Sequence, residues 1–342
     1  MPADVQTCRV AIAGASSLLG KELKELLEGG SFAGAEIRLL DEEIAVGTLA
    51  EAGGEPVLIQ VVDDDSFERV RFVFFAGSAA FAVRHWEAAE RAGATVIDLS
   101  GGLAHVPSGL RWIPALDPVL TRPPAAQTPA PRAAKLILSP STPAIVACSL
   151  AGALSGFAVD RLVIIFFQPV SERGAAGIEE LESQTVRLLS FQPIGQEVFD
   201  AQVAFNLLVC YGQGSSERLS GVRLGIAREV SSYLTGRVPV PALQVIQAPV
   251  FYSYAFAAYV ELGSPPDQAT LRRALEAADV RLVTAAEDAP SNVSVAGESQ
   301  IVLGQMERDP NVERGYWFWG AADNMRLAAA NAIRIAEKLL AS

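Results

Sequence analysis

The turn Ser139-Pro140-Ser141-Thr142-Pro143 is a candidate site for covalent chemistry, because it links the apolar run KLIL to an alanine-rich helical segment. Two nucleophiles are available, Thr142 in the turn and Cys148 six residues further on. A threonine hydroxyl needs a base to take its proton, and Cys148 would lie roughly 9 Å up the helix, at about 1.5 Å per residue. We therefore expect Thr142 to be the cap that precedes a helix starting at Pro143, and Cys148 to be a buried small apolar residue.

A second candidate site is the glycine turn Gly14-Ala-Ser-Ser-Leu-Leu-Gly20. Glycines at both ends permit a tight turn and close packing, and the free N–H groups at a helix start attract a pyrophosphate. The turn therefore indicates a dinucleotide site at Gly14, Ser16, Ser17, Leu18 and Gly20. Its spacing differs from GxGxxG, and similar turns also occur in proteins that bind nothing.

Three carboxylates, Asp41, Glu42 and Glu43, follow the second apolar run. A carboxylate such as Asp41 at this position can accept hydrogen bonds from ribose hydroxyls, whereas it repels an added 2′-phosphate. If a dinucleotide binds, NAD is favoured over NADP. The alternative is an exposed acidic turn in a chain without a cofactor.

The elements that must position these residues form a repeating pattern. Apolar runs at 8–14, 35–40, 70–77 and 94–100 alternate with helical segments, which predicts a parallel sheet covered on both faces. After residue 155 come RLVIIFFQPV, RLGIAREVSSYL and LQVIQAPVFYSYAFAAYVEL, which we interpret as longer strands of a mixed or antiparallel sheet with fewer helices. Residues 121–134 read as a surface connector, and the last predicted element is an amphipathic helix capped by Asp323 or Asn324.

The composition limits the classes of function. At 342 residues the chain is long enough for two domains, and its net charge of -12 argues against nucleic acid or an anionic membrane as a partner. Three cysteines without a CxxC pair favour a reducing, cytoplasmic location. We find no targeting signal and no apolar run of about 18 residues, and we expect no metal site.

The chain resembles the aspartate-semialdehyde dehydrogenase family from about residue 9 to residue 338. VAIAGASSLLGKELKELLE resembles the family's first strand, turn and helix, and FFAGSAA, with Gly77, resembles its second phosphate-side loop. FFQPVSERGAAGIEEL resembles the segment YQAVSGAGxxGxEEL, AFNLL an AxNxxP-like stretch, and DNMRLAAANAIRIAE, with Asn324, the terminal helix.

That resemblance implies an α/β plus α+β fold. A Rossmann-type NAD(P)-binding domain would span 1–140 and 321–342, and a dimerisation and substrate domain would span 141–320. It also implies a homodimer, a place in amino-acid biosynthesis, and contacts of Gly77 and Asn324 with the cofactor.

The family's chemistry uses a cysteine that attacks the substrate, a histidine as its acid–base partner, and two arginines that hold the substrate's phosphate and carboxylate. The resemblance places Thr142 at the cysteine position of the NPNCST turn and Tyr254 at the histidine position of a GHS triplet. Gln247 and Ala104 stand at the two arginine positions. All four substitutions therefore lie at positions that take part in the family's reaction.

Two polar members of the family's substrate pocket are retained. Gln168 matches the glutamine of YQAVS, and Glu229 falls on a glutamate that contacts substrate, although both could be polar groups satisfied beneath the sheet. We expect an inactive homologue, a pseudoenzyme that retains the fold, the dimer and a dinucleotide pocket for a binding or regulatory role with an unknown ligand. The alternative is a working NAD(P)-dependent oxidoreductase on an aldehyde or acyl phosphate, with Ser141, Thr142 or Tyr254 recruited.

Overall fold

The chain folds into two units. The computed structural model of the protein describes residues 8–42, 49–52, 55–63, 65–120, 133–284 and 289–341. The first unit takes the described parts of 1–114, 124–141 and 328–342, and the second takes those of 115–123 and 142–327. The expected connector at 121–134 lies almost entirely outside the described residues.

A parallel sheet forms the centre of the first unit. Its strand order is β5-β2-β1-β6-β7-β9-β8, every pairing is parallel, and β3 and β4 form a separate antiparallel hairpin. The elements are β1 (Arg9–Ala13), α1 (Leu18–Gly29), β2 (Glu36–Asp41), β3 (Leu49–Ala52), β4 (Glu55–Leu58), β5 (Gln60–Val61), β6 (Phe72–Phe75), α2 (Ala79–Arg91), β7 (Thr95–Asp98), β8 (Leu110–Arg111) and β9 (Leu136–Leu138). The predicted parallel sheet is confirmed.

Both faces of this sheet are apolar, as a parallel sheet between helix layers requires. Alternate residues of β1 belong to two separate core clusters. Val10 and Ile12 pack with Leu23 and Leu27 of α1, whereas Ala11 and Ala13 pack with residues that include Phe81 of α2.

The second unit contains a mixed sheet with the order β11-β10-β12-β16-β14-β13, and β15 pairs with β16. The β10–β11 and β13–β14 pairs are parallel and the other pairs are antiparallel, so the prediction of a mixed sheet is confirmed. The elements are α3 (Thr142–Leu154), β10 (Val159–Gln168), α4 (Gly174–Leu189), α5 (Leu219–Leu234), β11 (Ala242–Gln247), β12 (Tyr254–Leu262), α6 (Gln268–Ala277), β13 (Val280–Leu282), β14 (Ile301–Leu303), β15 (Glu307–Arg308), β16 (Gly315–Ala322) and α7 (Asn324–Leu340), with short 3₁₀ turns at Pro114–Leu116 and Val170–Arg173.

One predicted strand segment is a helix, and the cap of the terminal helix is now identified. RLGIAREVSSYL, which we interpreted among the strands, lies in helix α5, with Ile226, Val230 and Leu234 buried four residues apart on one face. The terminal helix is confirmed, and its cap is Asp323, whose Oδ1 accepts from the amides of Met325 and Arg326, both at 3.0 Å.

The mixed sheet has one packed face and one open face. Leu162, Ile164 and Phe166 of β10 are buried, whereas the intervening side chains are partly exposed. Register across β10, β12 and β16 places these partly exposed residues side by side with their counterparts on the neighbouring strands. We call this surface the open sheet face, and it consists of Val163, Ile165, Phe167, Ala257, Tyr259, Trp317 and Trp319.

Two classes of feature are missing from the described residues. None of their helices combines the length and the apolar character that crossing a bilayer requires. They also contain no group of three or more His, Cys, Asp or Glu side chains arranged to hold a metal ion.

Candidate substrate site and dinucleotide turn

Thr142 opens helix α3, all of whose residues are buried. The helix begins at Thr142 itself, so the prediction that Thr142 precedes a helix starting at Pro143 is wrong by one residue. The Thr142 hydroxyl donates to the backbone carbonyl of Asn324 at 2.8 Å. A carbonyl oxygen is not a base that could remove this proton, so the contact does not activate Thr142 as a nucleophile.

Cys148 lies inside helix α3 with no exposed surface. Burial raises the pKa of its thiol far above the usual range, and the negative charge of Glu229 raises it further while Arg237 opposes the shift. The group is a neutral thiol rather than the reactive thiolate. The prediction that Cys148 is a buried apolar residue is confirmed.

Four buried side chains form a hydrogen-bonded group that we call the amide–phenol cluster: Gln168, Tyr211, Gln247 and Tyr254. Gln168 ends β10 and Gln247 ends the parallel neighbour β11, so the two amides are directly paired in register. The Tyr211 hydroxyl donates to Gln247 Oε1 at 2.7 Å, and the Tyr254 hydroxyl donates to Gln168 Oε1 at 3.2 Å. The structure thus brings together three of the predicted site residues, Gln168, Gln247 and Tyr254.

The cluster also satisfies its remaining polar atoms internally. Gln168 Nε2 donates to Tyr211 at 3.1 Å and to Gln247 Oε1 at 3.3 Å. Gln247 Nε2 donates to the carbonyls of Gln168 and Ala248 at 2.9 and 3.0 Å. Because both amides are at most 1% exposed, their polar groups are bound by protein rather than by solvent.

Tyr254 is a neutral phenol in this environment. Burial raises its pKa well above the usual value near 10, and the negative charge of Glu172 adds to the effect. Burial likewise raises the pKa of Tyr211. A phenol with a raised pKa cannot serve as a base at neutral pH.

Glu172 adjoins this cluster and was not among the predicted site residues. Its Oε1 accepts from Asn324 Nδ2 at 2.8 Å, and desolvation raises the pKa of Glu172 to about 7, although the residue as a whole is exposed. Hydrogen bonds from Asn324 and Tyr254 oppose the shift, and Glu217 adds to it. The available signal was a charged residue in SERG, where the resembling family segment reads SGAG.

Asn324 connects several elements at the start of α7. Its amide donates to Ser171 Oγ at 3.1 Å as well as to Glu172, and its Oδ1 accepts from the Ser253 amide at 2.9 Å. The carboxamide that we predicted to contact a cofactor therefore binds three partners in the second unit.

Ser253 has an unusual backbone and an unpaired hydroxyl. It adopts φ +68°, a region that favours glycine, and it stands where the resembling GHS triplet has its glycine. Its backbone carbonyl accepts from Asn292 Nδ2. Its Oγ is buried and finds no hydrogen-bond partner among the described residues.

The two other predicted pocket residues lie in different units. Glu229 is half-buried on α5, and its charge contributes to the raised pKa values of Cys148 and Glu172. Ala104 is exposed in a turn of the first unit, where its carbonyl accepts from Arg111 Nη2 at 3.3 Å.

Arg173 is a cation close enough to affect the amide–phenol cluster, although no arginine stands at the position of Gln247. Arg173 lowers the pKa of Tyr211 against the stronger effects of burial and Glu217. Its guanidinium donates to Ser216 Oγ at 2.8 Å and forms an ion pair with Glu217. Arg173 is therefore already neutralised by a carboxylate of the same unit.

The glycine turn of the first unit brings two backbone segments into contact. Gly14 has φ +97°, and a Cβ atom built on it would lie 2.2 Å from the amide nitrogen of Gly77. A Cβ on Gly20 would lie 2.2 Å from the carbonyl oxygen of Gly14. Only glycine permits these approaches, so Gly14, Gly20 and Gly77 fix the shape of the turn.

Ser17 is the N-cap of α1 at this turn. Its Oγ accepts from the Gly20 amide at 2.8 Å and donates to the Ala76 carbonyl at 2.9 Å. Leu18 and Leu19 follow in the first helical turn, where backbone amides have no acceptor within the helix. The positive end of the α1 dipole is therefore directed toward this turn.

Asp41, the last residue of β2, and Glu42 after it contact the segments that precede helices α1 and α2. Asp41 is only 7% exposed, so the alternative of an exposed acidic turn is wrong for this residue. Its Oδ2 accepts from the Ser16 amide at 2.7 Å and its Oδ1 from the Glu42 amide at 2.8 Å. Glu42 is exposed and accepts from Ser78 Oγ at 2.9 Å, and Glu43 lies outside the described residues.

Comparison with known protein families identifies both halves of the chain. The profile of the semialdehyde dehydrogenase NAD binding domain matches residues 9–122, and that of the semialdehyde dehydrogenase dimerisation domain matches residues 150–327.

Whole-length relatives and a solved structure agree with these matches. A USG-1 protein homolog from Pseudomonas aeruginosa is 30% identical, with 98% of each chain covered. Aspartate-semialdehyde dehydrogenase 2 from Vibrio cholerae is 28% identical over 98% of each chain. The crystal structure of aspartate semialdehyde dehydrogenase II from Vibrio cholerae superposes with a TM-score of 0.85 at 26% identity, covering 98% of this chain and 99% of that one.

Proposed function

The chain belongs to the semialdehyde dehydrogenase family, and from that membership we propose that it is a non-catalytic aspartate-semialdehyde dehydrogenase homologue. In this proposal it keeps the family fold, a nicotinamide dinucleotide site and a homodimer, and it serves a binding or regulatory role in the cytoplasm. The contact that carries the proposal is the hydrogen bond from Thr142 Oγ1 to the Asn324 carbonyl at 2.8 Å.

This contact bears on the covalent step. In the resembling family a cysteine at the position of Thr142 attacks the substrate, and a histidine at the position of Tyr254 exchanges the proton. Here the Thr142 hydroxyl donates to a carbonyl and Tyr254 is a neutral phenol. Without a base for the hydroxyl proton, a threonine is too weak a nucleophile to form an acyl intermediate.

The charge of the amide–phenol cluster also supports the absence of turnover. A doubly anionic substrate needs cationic partners, and the guanidinium–carboxylate pairing that suits them is bidentate. Gln247 is neutral and its side-chain atoms are already bound within the protein. Arg173, the cation that affects Tyr211, is paired with Glu217.

A dinucleotide site is supported by the glycine turn. Gly14 and Gly77 leave no room for a Cβ between the two loops, and a turn with glycines between the first strand and helix is typical of a pyrophosphate site. The amides of Leu18 and Leu19 would hold the pyrophosphate, and the bound dinucleotide would supply hydride chemistry only to an enzyme that retains its other groups.

We propose NAD as the preferred dinucleotide, because Asp41 and Glu42 place negative charge where a 2′-phosphate would add more. We also propose that the NAD(P)-binding domain spans 1–140 and 321–342 and that the dimerisation domain spans 141–320. The profile matches at 9–122 and 150–327 support the division into an N-terminal cofactor domain and a following dimerisation domain.

The open sheet face supports a homodimer of this chain. Trp317 and Trp319 are 39% and 41% exposed, beside the partly exposed Tyr259 and Phe167. A contiguous aromatic surface of this kind marks an interaction site in soluble proteins. Because it belongs to the segment that matches a dimerisation domain, we assign a second copy of the chain to it.

The proposal is tested by mixing the purified protein with aspartate semialdehyde, phosphate and either NAD or NADP, and following absorbance of the reduced nicotinamide. We expect no phosphate-dependent signal above a protein-free blank, beside an active family member as the positive control. Turnover that Thr142→Ala abolishes would contradict the proposal, because it would require Thr142 as the nucleophile.

A second candidate function is an oxidoreductase with altered catalytic residues, and Glu172 is the observation that favours it. A carboxyl group with a pKa of about 7 beside Tyr254 could exchange a proton with a carbonyl substrate at neutral pH. In the same assay, turnover with a midpoint near pH 7 that Glu172→Gln removes, and that Thr142→Ala leaves intact, would favour this function over the first.

A further inference from the structure

We propose that Asp41 and Glu42 are built-in anions that occupy both helix starts of the dinucleotide site and lower its affinity for phosphate-bearing ligands. The inference rests on the proposed dinucleotide site. It goes further by giving Asp41 a role opposite to that of a ribose-binding carboxylate. Removing the Asp41 charge should tighten dinucleotide binding if Asp41 competes with phosphate, and should weaken NAD binding if Asp41 binds the ribose.

Asp41 is held against the glycine turn by both of its oxygens. Oδ2 lies 2.7 Å from the Ser16 amide, which is part of the turn before α1, and Oδ1 lies 2.8 Å from the Glu42 amide. Charged hydrogen bonds of this length are strong, and the residue is only 7% exposed. The carboxylate therefore already supplies the negative charge that the positive end of α1 attracts.

Glu42 contacts the start of the second helix through the side chain of its N-cap residue. Ser78 is the N-cap of α2, where its Oγ accepts from the Phe81 amide at 3.1 Å. The same hydroxyl donates to Glu42 Oε1 at 2.9 Å. One end of strand β2 thus provides a carboxylate to α1 through Asp41 and another to α2 through Glu42.

The consequence is competition between these carboxylates and a phosphate group. A pyrophosphate bound to the amides of Leu18 and Leu19 would lie near the Asp41 carboxylate. The free turn would then contain one anionic group, the carboxylate, and the bound turn would contain two, the carboxylate and the pyrophosphate. Repulsion between neighbouring anions at a partly buried site costs enough to change affinity by about tenfold. NADP has a further phosphate and should be affected more strongly by Glu42.

Isothermal titration at constant ionic strength tests the proposal with NAD and NADP as the probes. The variants are Asp41→Asn, which keeps the shape of the side chain, and Glu42→Gln, which changes an exposed residue. Glu36→Gln is the matched control. It removes the same charge from the opposite end of β2, and the Glu36 side chain is 56% exposed.

We expect Asp41→Asn to tighten both dinucleotides by about tenfold, Glu42→Gln to tighten NADP more than NAD, and Glu36→Gln to change neither by more than about twofold. Weaker NAD binding by Asp41→Asn would overturn the proposal and assign Asp41 to the ribose. Unchanged affinity in both test variants would also overturn it, as would the absence of binding by every variant.

Two further points keep the test decisive. If Asp41→Asn does not fold, the NADP-to-NAD affinity ratio of Glu42→Gln decides alone, because that side chain is at the surface. The titrations do not measure turnover. Catalysis in the nicotinamide assay would contradict the proposed function and leave this inference standing, whereas failed titrations would leave the inactive site standing.

Discussion

At the scale of single residues, two of the four positions that align with the family's reactive groups, Gln247 and Tyr254, are occupied by side chains of one hydrogen-bonded cluster. Gln168, Gln247 and Tyr254 form a closed set of hydrogen bonds with Tyr211, and Thr142 binds a carbonyl. Such a fully satisfied polar network is stable in a buried environment, whereas an isolated polar replacement would be costly. The substitutions are therefore mutually compatible rather than independent losses.

Ser253 is the exception to this internal satisfaction, and it yields a stability prediction. We expect Ser253→Gly to raise the free energy of unfolding by about 1–4 kcal/mol. Positive φ costs a non-glycine residue about 1–2 kcal/mol and a buried unpaired hydroxyl about 1–3 kcal/mol, whereas the greater freedom of unfolded glycine offsets about 0.5–1 kcal/mol. Urea unfolding monitored by circular dichroism measures the change.

Ser253→Ala is the matched control for that prediction. It removes the unpaired hydroxyl but keeps a Cβ at φ +68°, so it should gain less stability than the glycine variant. A glycine variant less stable than the wild type would show that the Ser253 hydroxyl has a favourable partner and that its backbone is not strained.

At the scale of secondary-structure elements, the glycine turn depends on the contact between the ends of β1 and β6. We expect Gly14→Ala to lower the free energy of unfolding by roughly 2–5 kcal/mol, because the new Cβ would lie 2.2 Å from the Gly77 amide at φ +97°. Gly29→Ala is the control, since a Cβ there meets no described atom within 4 Å.

The control should be neutral or stabilise α1 by up to about 1 kcal/mol, as expected for replacing glycine by alanine in a helix. Denaturant unfolding of the two variants under identical conditions gives the comparison. Equal stability of Gly14→Ala and the wild type would mean that the two loops can separate without cost, which would weaken the case for a fixed pyrophosphate turn.

Much of the architecture follows from local patterns in the sequence. The alternation of apolar runs and helical segments was sufficient to predict the parallel sheet, because each buried strand is a short continuous apolar stretch. RLGIAREVSSYL was harder to assign, since its arginines, glycine and serines leave a weak apolar stripe. Its residues Ile226, Val230 and Leu234 are nevertheless spaced four apart, and they form the buried face of helix α5.

The candidate sites were less predictable, because they depend on contacts between residues far apart in sequence. Gln168, Gln247 and Tyr254 were identified by resemblance, yet their mutual hydrogen bonds arise only when β10, β11 and β12 become neighbours. The Asp41 carboxylate turns inward to the Ser16 amide, which no local pattern indicates. The pKa of Glu172 is raised by desolvation and, to a lesser extent, by Glu217 and Glu229, which lie far along the chain.

At the scale of the whole molecule, the open sheet face is an apolar surface of the second unit that the described residues leave partly exposed. Its aromatic residues come from β10, β12 and β16, and the opposite side of the same strands is buried. A sheet with one packed face and one apolar exposed face requires a covering layer. In the proposed homodimer a second copy, related by a two-fold axis, would supply the same surface, so that each protomer covers the other's face.

Ala257 is the position at which this assembly can be tested, because it lies between Ile165 and Trp319 in register at the centre of the open sheet face. We expect Ala257→Arg to convert a dimer into a monomer, since an unpaired charge buried in an apolar interface costs several kcal/mol. At about 1.4 kcal/mol per factor of ten, this weakens association by roughly 100-fold or more.

Sedimentation velocity at micromolar concentration measures the change, and Ala33→Arg, at an exposed turn of the first unit, is the control that should remain a dimer. A monomeric wild type would contradict the assignment of the open sheet face, and a dimeric Ala257→Arg variant would move the interface to another surface.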